Sequence, residues 1–177
     1  MTKARLEVRQ AKIGDIRNIA ALAKRVYEDF VPYTQSEIRG QLNNYREGCF
    51  VAFLDDELIG YCASIRIGGD KALRPHGWDE ITGKGYGSRH DPNGDWLYGY
   101  ELCVDPKTRG TRIGRRLYEE RRKLAERLEL KGIVFGGRMP NLSRQWRKVD
   151  GPQDYLDKVI SGKIHDPVVR FQLANGF

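Results

Sequence analysis

The stretch VDPKTRGTRIGRRLYEERRKLAERL, from Val104 to Leu128, decides how this chain folds. It follows the apolar, β-rich run WLYGYELCV, carries Gly110 and Gly114 in its first half, and continues with apolar residues at helical spacing. A strand, a tight glycine-containing loop and a helix together aim backbone N–H groups at an anion, and the positive end of the helix dipole also attracts it. The pattern therefore predicts a turn that binds phosphate.

The basic residues of this stretch allow a second interpretation. A helix with a basic outer face either lies on nucleic acid or is simply solvated, and exposed charges usually contribute little. We favour a solvated face for most of these residues, because acidic residues alternate with them, and we treat Arg109 with the loop backbone as the exception. The charged residues concerned are Arg115, Arg116, Glu119, Glu120, Arg121, Arg122, Lys123 and Glu126.

Composition limits the class of protein. The 177 residues are 40% hydrophobic and 10% aromatic, enough to bury a core within one domain over residues 1–177. Lys and Arg outnumber Asp and Glu by 31 to 24, which favours anionic partners such as nucleic acid, an anionic membrane surface or a polyanionic cofactor. Three cysteines without CxxC spacing are typical of reduced core thiols, and the charged N-terminus lacks a signal peptide. We expect a cytoplasmic protein without a membrane partner.

Periodicity predicts the order strand, two helices, two strands, a long loop, then strand, helix, strand and further helices. Asp15 is placed to cap the first helix, and TQSE has the form of a capping box that opens the second. The predicted ranges are a strand near 6–10, helices at 16–30 and 34–45, a hairpin at 49–67, strands at 96–104 and after Gly132, and tail helices at 153–160 and 168–174.

Residues 69–95 form a long insertion without periodicity, rich in Gly, Pro, His, Trp and Asp. Long loops in compact domains are usually functional or disordered, and the aromatic residues argue against disorder. We expect this loop, with the helices around Tyr33 and Tyr45, to cover an acceptor site and to bind a cationic amine. His90 and Asp91 fit equally well a turn that satisfies its own backbone. The loop candidates are His76, Trp78, Asp79, Glu80, Tyr86, His90 and Asp91.

The hexapeptide from Arg109 to Gly114, RGTRIG, resembles the pyrophosphate loop [RQ]-x-x-G-x-[GA] of the GNAT superfamily of N-acetyltransferases. The segments PYTQSEIRGQL, HGWDEITGKGYGSRHDPNGDWLYGYELCVDP and KGIVFGGRMP extend the likeness to nearly the whole chain. Together they resemble the acetyltransferase half of bacterial proteins that carry a carbon–nitrogen hydrolase (nitrilase-like) domain after it. The resemblance implies an α/β (α+β) GNAT acyl-CoA N-acyltransferase fold, with a central mixed, mostly antiparallel sheet flanked by helices.

The resemblance also implies acetyl-CoA as the cosubstrate. Backbone N–H groups of the loop would hold its pyrophosphate, and the fourth strand would pair with the pantetheine arm. Arg112 stands where the family usually has glycine, and we expect it to be helical with its side chain turned outward toward the nucleotide. The implied cofactor-binding residues are Leu102, Cys103, Val104, Arg109, Gly110, Thr111, Arg112, Ile113, Gly114 and Arg115.

Glu101 and Val104 are the candidate catalytic residues. On the fourth strand Glu101 shares a face with Cys103, while Leu102 and Val104 point the other way. An acid in so apolar a strand is either a structural carboxylate with a partner or a water-assisted general base whose pKa burial raises. By resemblance, the Val104 N–H polarises the thioester carbonyl. Three histidines without metal-ligand spacing predict no metal site.

A general acid is harder to assign. The family commonly has a tyrosine shortly before a terminal GF, whereas RFQLANGF has Phe171 and Gln172 in that region. Tyr155 or a water could substitute, or no acid is required because a thiolate leaves readily. The resemblance further implies that the chain stops at Phe177 before the last two strands of the fold, that a nitrilase-like domain follows, and that the open sheet edge could form a homodimer.

The leading hypothesis is an acetyl-CoA-dependent N-acetyltransferase in which a primary amine of a small molecule or protein attacks directly. The alternative is a catalytically silent acyl-CoA-binding GNAT module that regulates a fused hydrolase domain. A third possibility, a nucleic-acid-binding domain using the basic helix, would require salt-dependent affinity. We expect an amine substrate and no nucleic-acid partner.

Overall fold

A mixed sheet organises the first part of the chain in the computed structural model, which describes residues 5–27, 31–108 and 110–177. Its five strands are hydrogen-bonded in chain order. The first four are antiparallel to their neighbours and the fifth is parallel to the fourth, which confirms the predicted mixed, mostly antiparallel sheet. The strands are β1 (Leu6–Gln10), β2 (Phe50–Leu54), β3 (Glu57–Ile67), β4 (Trp96–Val104) and β5 (Ile133–Val134).

The chain divides into two compact units, Met1–Phe135 and Gly136–Phe177. The first contains the sheet and its helices, and the regular elements of the second are helical in the part of the chain that the structure describes. Among the described residues, no helix is long and apolar enough to span a membrane. The α-helices are α1 (Ile16–Val26), α2 (Gln35–Tyr45), α3 (Gly69–Ala72), α4 (Trp78–Thr82), α5 (Ile113–Arg127), α6 (Leu142–Gln145), α7 (Pro152–Ile160) and α8 (Pro167–Ala174).

Two predicted helix starts have different outcomes. The capping box of α2 is present: Thr34 Oγ1 accepts from the Glu37 N–H at 3.2 Å, and Glu37 Oε2 accepts from the Thr34 N–H at 2.7 Å. Asp15 occupies the cap position of α1, but its side chain does not cap that helix. Its carboxylate instead pairs with Arg9 at 2.8 Å and accepts from the Lys12 N–H. Asp15 therefore does not cap α1 itself, because the chain is already helical there: a 3₁₀ turn over Ile13–Asp15 leads into α1, and the Asp15 carboxylate caps the start of that turn at Lys12.

The two faces of the sheet bear different helices. Tyr61 donates to Gln41 Oε1 of α2 at 2.7 Å, whereas a Cβ on the preceding residue, Gly60, would lie 2.8 Å from Ile113 of α5. Opposite β3, Cys103 pairs with Tyr61 and Val104 pairs with Gly60. Since paired residues share a face, Glu101 and Cys103 lie toward α1 and α2, while Leu102 and Val104 lie toward α5, as predicted.

A β-bulge interrupts β4 beside Glu101. The register between β3 and β4 shifts after Ala63, which pairs with Glu101, so that Ser64 pairs with Gly99 and Tyr100 is the extra residue. Arg121 of α5 occupies the irregularity: it donates to Ser64 Oγ at 2.9 Å, to the Ala63 carbonyl at 2.8 Å and to the Glu101 carbonyl. The bulge is therefore held from the α5 side by one guanidinium.

Arg121 is an exception to the prediction that the basic residues of α5 form a solvated face. Its residue surface is only 2% exposed, so it does not belong to a solvated face. A Cβ at Gly99 would lie 3.0 Å from the Arg121 Cζ, which explains why a glycine faces this guanidinium. Arg115, Arg116 and Lys123 are exposed, as predicted, so the solvated interpretation holds for them and fails for Arg121.

The insertion at residues 69–95 is more regular than predicted, because it contains the short helices α3 and α4. Side chains of α2 fasten the insertion to that helix: Gln41 donates to the Gly85 carbonyl at 2.8 Å, and Asn44 donates to the Tyr86 carbonyl at 3.0 Å. Trp78 also reaches the Tyr100 carbonyl of β4 at 3.4 Å. The insertion therefore covers the face of the sheet that carries Glu101.

His90 fastens the end of the insertion. Its Nδ1 accepts from the Arg66 N–H at 3.1 Å, and its ring stacks on Tyr45 with centroids 4.0 Å apart. Asp91 accepts from the Asn93 N–H at 2.9 Å, which confirms the turn that HDPNGD predicted. Burial, and then the charge of Arg66, lower the pKa of His90 from its ordinary value of 6.5.

We expect acid to loosen this attachment. Because the folded-state pKa of His90 is lowered, its contribution to stability is complete above about 6.5 and is lost as pH falls through the lowered value. Losing a hydrogen bond worth about 1 kcal/mol should reduce Tm by about 2–4 °C between pH 7.5 and pH 5. His90→Asn keeps a non-titrating acceptor and should lose less Tm over the same range in differential scanning fluorimetry. An equal loss in both proteins would remove His90 from the explanation.

The second unit has its own small core around Tyr155, Val159 and Val169. Asp166 caps α8 by accepting from the Val168 and Val169 N–H groups, and Tyr155 donates to its Oδ2 at 2.5 Å. Burial and Asp166 raise the pKa of Tyr155 to about 12. This contact gives Tyr155 a structural role within the unit and makes its hydroxyl a weaker acid than an ordinary phenol.

Candidate functional site

The loop between β4 and α5 opens with a buried carboxylate that sequence analysis missed. Asp105 accepts from the Lys107 N–H at 2.9 Å and from Arg25 Nε of α1, also at 2.9 Å. Burial alone would raise the pKa of Asp105, but these two donors hold it below its usual value. The Asp-Pro dipeptide indicated a turn, whereas the partner on α1 lies 80 residues away in sequence and left no local signal.

The loop then turns through glycine. A 3₁₀ turn spans Pro106–Thr108, and the Thr111 N–H donates to the Thr108 carbonyl at 3.2 Å. Gly110 has φ of +86°, and a Cβ there would meet no atom within 4 Å. Left-handed backbone rather than crowding explains the glycine. Arg109 lies outside the described residues, so its contact with a pyrophosphate stays a prediction.

Arg112 differs from its prediction. It has φ of 61° and ψ of 24°, at the cap position immediately before α5, so the expectation that it is helical is wrong. The chain must enter the helix through a left-handed residue, which glycine adopts freely and other residues adopt at about 1–2 kcal/mol. The side chain of Arg112 is exposed. The glycine of the family pattern at this position therefore reflects a left-handed backbone. This chain keeps that backbone conformation with arginine, which is strained there.

Replacing Arg112 by glycine should relieve that strain. Because glycine also loses more entropy on folding, the net gain in the free energy of unfolding should be roughly 0.5 kcal/mol. Urea unfolding of Arg112→Gly and Arg112→Ala distinguishes strain from charge, since alanine removes the guanidinium but keeps the left-handed penalty. Equal stability of the two variants would contradict the strain.

The first turn of α5 offers donors to an anion. The Arg116 N–H bonds back to the Arg112 carbonyl at 3.1 Å, so the N–H groups of Ile113, Gly114 and Arg115 precede the first bond within the helix. Ile113 and Gly114 are buried, and Arg115 is exposed. These groups and the helix dipole form a suitable seat for a phosphate.

In the described part of the chain, the C-terminal end of β4 is unpaired on the edge that faces away from β3. β5 pairs only with Leu97 and Tyr98, and beyond them β4 has no partner strand on that side among the described residues. The Asp105 N–H points toward β3, where it donates to the Ile59 carbonyl at 2.8 Å. Since N–H groups alternate along a strand, those of Leu102 and Val104 point to the open side. The predicted pairing surface is thus provided by backbone groups, while the Cys103 thiol is buried on the face of the sheet that carries Glu101.

Glu101 is 7% exposed and has a defined partner. Its Oε1 accepts from the Tyr27 hydroxyl at 2.5 Å. Burial raises the pKa of Glu101, and hydrogen bonds from Tyr27, Tyr33 and Cys103 and the charge of Arg121 oppose that increase. A carboxylate that is buried, oriented and raised in pKa has the properties of a general base.

Aromatic residues lie near this carboxylate. Tyr33 and Trp78 face each other with ring centroids 6.1 Å apart, so the insertion meets the start of α2 here as predicted. Tyr100, the bulge residue, is 8% exposed, and its hydroxyl has no hydrogen-bond partner in the described part of the chain. Sequence analysis anticipated Tyr33 and Trp78 but missed Tyr27 and Tyr100. The arrangement suits a cationic or polar group beside Glu101.

Within residues 5–27, 31–108 and 110–177, no group of three or more His, Cys, Asp or Glu side chains is placed to hold an ion. The site therefore consists of a carboxylate, aromatic rings, an open strand edge and a helix N-terminus.

Two curated relatives cover nearly all of this chain. The probable hydrolase YhcX of Bacillus subtilis (strain 168) is 38% identical over 173 residues, which are 98% of this chain and 34% of that protein. This chain thus spans about a third of that relative. The uncharacterized N-acetyltransferase YkwB of the same organism is 24% identical over 175 residues, covering 97% of this chain and 77% of that protein.

Solved structures share the architecture. The GphF GNAT-like decarboxylase in complex with isobutyryl-CoA superposes with a TM-score of 0.80 and 26% identity, covering 96% of this chain and 85% of that one. The loading GNATL domain of CurA from Lyngbya majuscula gives a TM-score of 0.75 at 21% identity, covering 97% and 84%. The second likeness concerns the fold alone.

The family model for the acetyltransferase (GNAT) family matches residues 15–145. That range includes α1, the sheet from β2 to β5, Glu101 and the whole loop before α5. The match confirms the resemblance on which the site was predicted, and the chain belongs to the acetyltransferase (GNAT) family.

Proposed function

We propose that this chain is an acetyl-CoA-dependent N-acetyltransferase that transfers the acetyl group to a primary amine of a small molecule or peptide. The observation that carries the proposal is the buried, hydrogen-bonded Glu101, whose pKa is raised, on the strand that leads into the open edge and the phosphate seat. Direct attack suits the site, because Cys103, the nearest nucleophile on β4, is buried and its pKa is well above the ordinary thiol value.

The proposed binding groups follow the order of the parts of acetyl-CoA, from the pyrophosphate through the pantetheine arm to the thioester. The N–H groups of Ile113, Gly114 and Arg115, with the turn at Gly110 and Thr111, would hold the pyrophosphate. Leu102 and Val104 would pair with the pantetheine amides through their backbone groups, and the Val104 N–H would stabilise negative charge that develops on the thioester oxygen. Acetyl-CoA supplies the activated acyl group, and this chain supplies donors and position.

Glu101 would accept the proton of the attacking amine through one water. Tyr27 occupies Oε1 at 2.5 Å and so fixes the carboxylate, and the raised pKa brings its basicity closer to neutral pH. Tyr33 and Trp78 would contact the acceptor. No acid needs to protonate the leaving sulfur, because a thiolate is a stable leaving group at neutral pH.

Calorimetry with acetyl-CoA and a thiol-release assay over a panel of amines test this proposal. Binding together with amine-dependent thiol release supports it. Binding without turnover supports a silent acyl-CoA-binding module that regulates a fused hydrolase domain. No binding contradicts both functions.

A second candidate is decarboxylation of a carboxyacyl-CoA. The GNAT-like decarboxylase complex favours it, with a TM-score of 0.80 and 26% identity over 96% of this chain. The Val104 N–H would serve the same purpose, since loss of CO₂ beside a thioester also places negative charge on the carbonyl oxygen. Mass spectrometry of malonyl-CoA and methylmalonyl-CoA incubated without amine tests it: conversion to acetyl-CoA and propionyl-CoA supports decarboxylation.

We also propose a setting for the domain. The two compact units would belong to one GNAT domain in the cytoplasm, without a nucleic-acid or membrane partner, followed by a nitrilase-like domain in a longer protein. The 34% coverage of YhcX supports the longer protein. The open edge beside β5 is where a homodimer would form, and light scattering at several concentrations measures that association.

A further inference from the structure

Arg121 is a buried cation whose direct partners are all uncharged. Its residue surface is 2% exposed, and its guanidinium donates to Ser64 Oγ, to the Ala63 carbonyl and to the Glu101 carbonyl. Its Cζ lies over the Tyr118 ring, 5.4 Å from the centroid. An arginine guanidinium stays protonated in proteins, and a buried charge is costly unless another charge compensates it. The structure should therefore contain an anion that balances Arg121.

The bulge in β4 brings the Glu101 carboxyl group close to this cation. Ala63 and Glu101 pair across β3 and β4, and Nη2 of Arg121 donates to both of their carbonyls. The guanidinium is therefore inserted between the two strands at the residue that carries the carboxyl group. Only the length of one glutamate side chain separates that carboxyl from the carbonyl that Arg121 holds.

Glu101 lacks an adjacent cation, just as Arg121 lacks an adjacent anion. Its carboxylate accepts from the Tyr27 hydroxyl but forms no ion pair among the described residues. The other buried carboxylates described in the unit Met1–Phe135 are ion-paired, so Glu101 and Arg121 are the buried charges left to balance each other. Those ion pairs are Asp15 with Arg9 at 2.8 Å and Asp105 with Arg25 at 2.9 Å.

The remaining titratable groups around Glu101 are phenols and thiols, which are uncharged at neutral pH. Burial raises the pKa of each one for which a shift is resolved. Burial also raises the pKa of Glu101 itself, and hydrogen bonds and then the charge of Arg121 oppose that increase. Arg121 therefore contributes the positive charge in these surroundings. The phenols and thiols are those of Tyr27, Tyr33, Tyr100, Cys62 and Cys103.

We propose that Arg121 is a positioning residue whose guanidinium, inserted at the bulge from the α5 face, keeps the Glu101 carboxylate ionised and fixes the strand that carries it. The inference rests on the proposed function for the role of Glu101 as base. The Glu101 side chain lies toward α1 and α2, so an acceptor amine would meet the carboxylate and not the guanidinium. Gly99 permits the approach of Arg121, because a Cβ there would lie 3.0 Å from its Cζ.

Titration of the carboxyl group tests this inference without turnover. In protein labelled with ¹³C at the glutamate side-chain carboxyl, the Glu101 NMR signal is the one that Glu101→Gln removes. Arg121→Gln keeps amide donors but removes the charge, and it should raise the midpoint of Glu101 by about 1 pH unit, because a nearby opposite charge favours the ionised carboxyl. Arg121→Lys keeps the charge and should restore most of the native midpoint. Equal midpoints in the native protein and Arg121→Gln would overturn the inference.

Arg116→Gln is the matched control, because it removes the same charge from an exposed position of α5. It should leave the Glu101 midpoint unchanged, and a shift as large as that of Arg121→Gln would contradict a specific role for the buried guanidinium. If circular dichroism shows that Arg121→Gln does not fold, Gly99→Ala takes its place. The added Cβ pushes the guanidinium away from the bulge and should also raise the midpoint, so an unchanged midpoint would then overturn the inference.

Amine acetylation provides a second measurement. The pH at which kcat/KM is half-maximal should increase in Arg121→Gln together with the carboxyl midpoint. A residue with only a structural role would lower kcat/KM at every pH without moving this value, and that result would contradict the inference. If no amine is acetylated, the proposed acetyltransferase function fails, whereas the carboxyl titration still decides the role of Arg121.

Discussion

Replacing Glu101 by glutamine should lower kcat for amine acetylation by about a hundred-fold or more, with little change in the affinity for acetyl-CoA. Glutamine keeps the size and hydrogen-bonding oxygen of the side chain but cannot accept the proton. Since the pKa of Glu101 is raised, kcat/KM of the native protein should increase with pH through that raised value. The variant should show a residual rate without this dependence. Stopped assays of thiol release between pH 5 and pH 9 provide both results.

Stability supplies the control for this variant. A carboxylate with a raised folded-state pKa destabilises the protein as pH increases through that value, because the unfolded chain ionises more readily. Glu101→Gln removes this effect and should be at least as stable as the native protein at pH 7. Tyr27→Phe keeps the carboxylate and should lose much less activity. Full activity in Glu101→Gln would reduce Glu101 to the structural carboxylate that we considered from the sequence.

Replacing Gly114 by leucine should weaken the binding of acetyl-CoA by about a hundred-fold or more. Gly114 is buried in the first turn of α5, and a branched side chain there would displace a phosphate from two or three charge-assisted N–H bonds, each worth about 1.5–3 kcal/mol. Isothermal calorimetry measures the loss directly.

Gly14→Leu is the matched control for this variant. A Cβ at Gly14 would meet no atom within 4 Å, so leucine there adds the same apolar volume to an open surface. Circular dichroism should show both variants folded, with only Gly114→Leu impaired in binding. Unaltered affinity of Gly114→Leu would reject the assignment of the pyrophosphate loop.

Most of the fold could be predicted because its determinants are local. The hairpin of β2 and β3 and the capping box of α2 each depend on residues within a few positions of one another. The helix α5 also contained a missed signal: Arg121 occurs four residues after Leu117 and three before Leu124, on the buried stripe. Periodicity could have identified Arg121 as buried, although its partners on β3 lie 57 and 58 residues away.

The site was less predictable because it depends on distant pairs and on backbone conformation. Tyr27 is 74 residues from Glu101, and no pattern in either segment indicates the other. The glycine motif located the turn before α5, but it did not show that the left-handed conformation would persist with arginine at position 112. The α3 and α4 helices were missed because elements of four and five residues are too short to show a period.

Through the guanidinium of Arg121, α5 connects the phosphate seat at its N-terminus with the backbone of Glu101 on β4. Eight residues, about 12 Å of helix, separate Arg121 from Ile113 at the phosphate seat, and the Arg121 guanidinium donates to the carbonyl of Glu101. In the proposed function, this helical span would connect the seat of the pyrophosphate with the strand that carries the base. A substitution that changed the pitch or register of this span would misplace the thioester by ångströms without altering any residue that touches it.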